Sequence, residues 1–136
     1  MNQLLSAWSS RILSVMRIVT GFLFMQHGGQ KVLGFPAPAR SEFDFFSMSG
    51  VAGSLELFGG FLIVIGLFTR PTSFVLSGLM AFAYFIAHAP QSFWPILNGG
   101  ELAAMYCFVF LYLSIAGAGE WSIDQIRAGR RQSSNA

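Results

Sequence analysis

The chain has 136 residues, 54% of them hydrophobic and only 10% charged, with a formal net charge of +2. An ordinary soluble domain carries about 25% charged residues, so the composition excludes a solvated or disordered chain and fits one small membrane domain over 1–136. A single cysteine, Cys107, excludes an internal disulfide framework and a two-cysteine redox centre, and it reads as a small buried apolar residue. No aromatic–basic interleaving points to nucleic acid.

Four apolar stretches, at about 12–34, 51–68, 71–88 and 101–118, approach the roughly 17–25 residues a helical span requires. Lipid cannot satisfy free backbone groups, and the alternation of an outer-membrane barrel is missing, so helices are expected. The expected fold is all-α: an integral membrane four-helix bundle with short connections. Ala37-Pro38-Ala39 imitates a signal-peptide cleavage site. The apolar region before it is too long, however, and holds Arg17, Gln26, His27 and Lys31, so the first span is expected to be retained.

On the first span, Thr20, Phe24, His27 and Lys31 recur at helical spacing. Arg17 lies roughly 15 Å from His27 along the axis, with a stem long enough to snorkel to the inner interface. Gly53, Glu56, Gly60 and Ile63 form a seam on the second span, flanked by Gly59 and Gly66. Small residues of this kind, with Gly21 and Gly28 on the first span, let helix backbones approach closely. Only Thr69-Arg70 separates the second span from the third, whose seam is Ser77, Ala81, Tyr84 and His88. The fourth seam is expected to be Glu101, Met105, Phe108 and Tyr112, preceded by the polar Asn98-Gly99-Gly100. A faint echo, His27 then Glu56-Leu57 against His88 then Glu101-Leu102, fits two hairpins related by an axis along the membrane normal.

Arg11 and Arg17, Arg70, and Arg127, Arg130 and Arg131 fall in segments that four spans put on one side. The opposite segments are 35–50, where Arg40 is opposed by Glu42 and Asp44, and 89–100, which has no basic residue. The positive-inside rule then assigns both termini to the cytoplasm. Phe35, Phe43, Phe45, Phe46, Phe93 and Trp94 would mark the outer interface, and Trp8 and Trp121 the inner one.

A charge in hydrocarbon costs about 2.5–3.5 kcal/mol and is tolerated where groups pair or line a polar cavity. This orientation collects His27, Lys31, Glu56, His88 and Glu101 at the outer mouth, near Tyr84 and Asn98. Such groups could form a proton relay and hydrogen-bond set for a quinone. Other readings weigh against each residue. Glu56 could pair with Lys31 or Arg17 only to register the helices, Glu101 could serve the helix dipole, and His88 could be an interfacial cap. Ligation of haem by His27 and His88 is disfavoured, since only one such pair exists. No metal-ligand spacing or nucleophile elbow occurs.

Longer motifs link these residues. They are Arg17-x-x-x-Gly21-x-x-Phe24-x-x-His27-Gly28-x-x-Lys31, then Gly53-x-x-Glu56-x-x-Gly59-Gly60 running on to Gly66-Leu67-Phe68-Thr69-Arg70-Pro71. Ala83-Tyr84-Phe85-x-x-His88, Trp94-Pro95, Asn98-Gly99-Gly100-Glu101 and Gly117-x-Gly119-x-Trp121-Ser122-x-Asp124 complete the set. Over roughly 11–126 the chain resembles the DoxX family of small bacterial and archaeal membrane proteins. The resemblance implies a four-span inner-membrane protein, and some relatives are linked to thiosulfate:quinone oxidoreductase or to membrane-associated complexes that handle thiols and oxidative stress. The motif positions are carried over as a site without catalytic roles. On this basis the expected function is a quinone-associated subunit of an oxidoreductase system, with partner subunits and an outward-facing polar pocket. The alternatives are a non-catalytic assembly protein that docks a partner through 35–50, and a small transporter for protons or a polar solute; a homo-oligomer is compatible with each.

Overall fold

The computed structural model describes residues 2–39 and 42–134, which form helices and connecting loops without a strand. Arg40 lies outside the described residues. Helix α1 runs Asn2–Leu33, α2 Met48–Ile65 and α3 Thr69–Ala83, the last continuing through a π-helical turn, Tyr84–His88. A short α4 (Pro95–Asn98) precedes α5 (Glu101–Ala116), and α6 (Ile123–Ser134) ends the chain. The apolar runs expected to be helical are helical. Among the described residues, two helices are both long and apolar enough to cross a membrane, Met48–Ile65 and Thr69–His88. With 16 residues, α5 is only about 24 Å long, shorter than a hydrocarbon core of about 30 Å. The 32-residue α1 has the length, but Arg11, Arg17 and Lys31 dilute its hydropathy.

Local chemistry sets the boundaries. Gly34 at φ 65° followed by Phe35-Pro36 ends α1. Ser47 caps α2, its hydroxyl accepting the Gly50 N–H at 3.0 Å. Gly66, at φ 67°, closes α2 with its N–H on the Ile63 carbonyl. The sharp α2–α3 turn is capped by a distant residue. Asp124 at the start of α6 accepts the N–H of Phe68 at 2.9 Å and of Thr69 at 2.8 Å.

α1 packs along α2, and α3 along α5, with lighter contact between α2 and α3. Phe24, Ile63, Leu76, Met80, Tyr106, Phe110 and Leu113 form the buried core. The outward faces are apolar too: Phe58 is 67% exposed, Phe74 66% and Phe108 69%. Exposed apolar surface on this scale marks contact with lipid or a partner. The fourth seam differs from expectation. Met105, Phe108 and Tyr112 face outward, and the buried face of α5 is Tyr106, Phe110 and Leu113.

Candidate functional site

The end of the α1–α2 pair that carries Lys31 and Glu56 is built on glycine. A Cβ at Gly28 would strike the backbone of α2, 2.6 Å from the Gly53 carbonyl oxygen and 2.8 Å from the Glu56 carbonyl carbon. With no side chains between them, the backbones approach closely enough for Lys31 to reach across. Its Nζ donates to Glu56 Oε1 at 2.6 Å and Oε2 at 2.7 Å. The carboxylate is the buried partner, with its side chain 5% exposed against 37% for Lys31. A charge so placed is tolerable only when paired and hydrogen-bonded.

His27, four residues before Lys31, stands edge-on to Tyr106 with ring centroids 6.2 Å apart. Tyr106 in turn packs edge-on to Phe24 and stacks on Phe110. His88 arrives from the other helix pair, at the end of the π-helical turn. A π-turn re-aims the side chains that follow it and is frequent at functional sites. His88 Nδ1 lies 2.9 Å from the Asn98 carbonyl oxygen. Asn98 is itself knotted in place: Nδ2 donates to the Ser92 carbonyl at 2.8 Å, and Oδ1 accepts the Gly100 N–H at 2.7 Å. Tyr84 stacks at 6.4 Å on His88.

His27, Lys31 and His88 wall a cavity of about 410 Å³ together with Gln30, Glu42, Asp44 and Ser47. Next to it lies an apolar groove of about 380 Å³ between α2 and α3, lined by Phe46, Val51, Leu79, Phe82 and Ile86. Ser49 belongs to the walls of both. A polar chamber opening beside an apolar groove suits an amphiphile with a polar head and an apolar tail.

The candidate residues thus separate. His27, Lys31 and His88 meet at one cavity, while Glu56 sits behind it holding Lys31, and Asn98 and Tyr84 support His88. Glu101 is exposed at the first turn of α5, with no side-chain partner among the described residues. Arg17 belongs to the opposite end. Its guanidinium does not snorkel to the interface; the residue is 0% exposed. Nε donates to the Ala118 carbonyl at 2.7 Å, Nη2 to Trp121 at 2.6 Å, and Nη1 to Val64 at 2.6 Å and to Ile63. Carbonyls freed at the end of α2 and in the 118–121 turn satisfy the cation better than the interface would.

Sequence reasoning missed Tyr106 because it assigned the wrong face of α5. It also used Glu42 and Asp44 only for charge balance, although both are cavity walls. Tyr106, Phe110 and Leu113 have helical spacing of their own, and that was the available signal. Among the described residues no group of three or more His, Cys, Asp or Glu could hold a metal ion.

The family model that matches the chain is DoxX, over residues 12–89. This is more than half the chain and contains the motif set from Arg17 to His88. A protein of Haemophilus influenzae, strain Rd, named only as uncharacterized, is 40% identical over 126 residues, covering 82% of this chain and 87% of its own. Another from the same organism, likewise uncharacterized, is 33% identical over 76 residues, covering 56% of this chain and 50% of its own. No solved structure matches the chain. The chain belongs to the DoxX family of membrane proteins.

Proposed function

We propose that this chain is a four-span inner-membrane protein whose outer cavity takes the head group of a quinone, as a membrane subunit of an oxidoreductase system. The observation that carries the reading is the pairing of a polar cavity with an apolar groove at Ser49. A quinone has that division, with carbonyl oxygens on a ring and an isoprenoid tail. His27 and Lys31 could donate to the ring oxygens, and the Lys31–Glu56 pair could move a proton to them. The chain carries no flavin, haem or dithiol motif of its own, so electrons would come from a partner subunit. For topology, the support is that Arg11 pairs with Glu120 at 3.2 Å and Arg70 caps the end of α5. The arginine-bearing segments therefore share one end of the molecule, the end the positive-inside rule puts in the cytoplasm.

Titration of the purified full chain with a short-tailed quinone tests the reading. His27→Ala and Glu56→Gln should each weaken binding about tenfold or more, as loss of one or two charge-assisted hydrogen bonds would, with helix content unchanged. Wild-type affinity in both folded variants would contradict it. An assembly role is the second reading, favoured by the exposed aromatic loop, where Phe46 is 89% and Phe35 72% exposed. It predicts no quinone binding, and co-purification of a partner that is lost on Phe46→Ser.

A further inference from the structure

Charges at the inner end do not balance among themselves. Arg17 is committed to carbonyls, Arg11 to Glu120, and both oxygens of Asp124 to the α3 N-terminus. Arg70 forms no ion pair among the described residues. Its Nη1 donates to the Ser114 and Ile115 carbonyls, leaving Nε and Nη2 without a partner among the described residues. Beside it opens a cavity of about 760 Å³, whose wall includes Arg70, Thr69, Ser10 and Tyr112 together with the two committed acids, Glu120 and Asp124. Thr69 is 0% exposed and its hydroxyl has no hydrogen-bond partner. A smaller cavity of about 240 Å³ adjoins, sharing Phe68 and Asp124 and walled by Arg127 and Arg131. Arg127 lies 4.9 Å over the ring of Phe68.

Apolar groups sit at the same level. Phe68 is 52% exposed, and Trp121 and Ile126 also face outward. On α6 the helical period puts Ile123, Ile126, Arg127, Arg130 and Arg131 on one half of the circumference. Cations beside an apolar edge match the boundary between acyl chains and phosphates. A phosphodiester offers the negative charge and acceptor oxygens that these guanidiniums lack. We propose that the inner end is a binding site for the phosphodiester head group of an anionic phospholipid, held by Arg70, Arg127 and Arg131 with its acyl chains against Phe68. The proposal rests on the membrane reading above and is independent of the outer cavity.

Titration of the full chain in micelles with dioleoyl phosphatidylglycerol, dioleoyl phosphatidylcholine or inorganic phosphate, with bound lipid counted by native mass spectrometry, tests it. Phosphatidylglycerol should be held about fivefold or more tighter than phosphatidylcholine. The double variant Arg127→Gln/Arg131→Gln, whose two guanidiniums make no hydrogen bond to the protein among the described residues, should abolish that preference. Equal retention of the two lipids, or an unchanged preference in the double variant, would overturn the site. Displacement of phosphatidylglycerol by millimolar phosphate would assign the cations to a soluble anion and overturn the lipid assignment. Wild-type protein that resists carbonate extraction from membranes yet shows no lipid preference defeats this proposal alone. Protein that washes out of membranes defeats the membrane reading beneath it.

Discussion

Arg17 and Lys31 share one helix, about four turns apart, and each meets a different solution to burying a cation. Arg17 meets backbone oxygens, so removing its guanidinium leaves the carbonyls of Val64, Ala118 and Trp121 short of a donor, while Ile63 keeps the Gly66 N–H. A buried polar group without its partner costs about 1–3 kcal/mol. Arg17→Met should therefore destabilise the fold by about 3 kcal/mol or more, read as a lower thermal midpoint in micelles; an unchanged midpoint would dismiss the clamp. Lys31 meets Glu56, and their unequal burial makes the pair asymmetric. Lys31→Met strands a buried carboxylate and should cost about 3 kcal/mol, whereas Glu56→Gln leaves a half-exposed ammonium and should cost about 1 kcal/mol. Equal losses in the same melting experiment would contradict the assignment of Glu56 as the buried partner. The ion pair was legible in the sequence, because opposite charges in two apolar runs fall at one depth. The clamp was not, because carbonyl acceptors carry no side-chain signature.

At the scale of elements, α1 and α2 are held by backbone contact and α3 by its side chains. A methyl group at Gly28 has no room, and overpacking of this kind costs about 1–3 kcal/mol. At Gly78 on α3 an added Cβ meets nothing within 4 Å. Gly28→Ala should destabilise by about 2 kcal/mol or more, while Gly78→Ala should be neutral or stabilise by up to about 1 kcal/mol. Thermal melting of the two variants side by side checks this, and a reversed order would refute the close α1–α2 contact. Hydropathy made the four apolar helices readable because each run is continuous. The inward face of α5 was not readable: the helix is apolar all round, so Met105, Phe108 and Tyr112 have the same claim by spacing as Tyr106, Phe110 and Leu113. Amphipathic α6 was missed because Arg127, Arg130 and Arg131 read as a charged tail, whereas Asp124 reaching back to Phe68 and Thr69 and Arg127 over the Phe68 ring tie that helix down.

For the whole molecule, the two ends divide the work. The Arg17 end is a lattice of backbone-directed hydrogen bonds that joins α1, α2 and α6; the opposite end is a cavity edged by His27, Lys31 and His88. Membrane orientation follows if the arginines face the cytoplasm. In a Cys107→Ser background, a cysteine replacing Ser92 should react with an impermeant maleimide on intact cells, and one replacing Ser133 only after the membrane is opened. The opposite pattern would invert the topology. The gathering of His27, Lys31 and His88 at one end was legible from their depth in the apolar runs. Its amphiphilic character was not, because Ser49 joins cavity to groove only once α2 and α3 are packed. The central claim is that this junction holds a quinone. It is met most directly by mass spectrometry of the organic extract from gently purified protein, beside an unrelated membrane protein of similar size from the same membranes. A quinone should be enriched toward one per chain in the wild type and reduced to the control level in His27→Ala. Quinone at the control level in the wild type would contradict it.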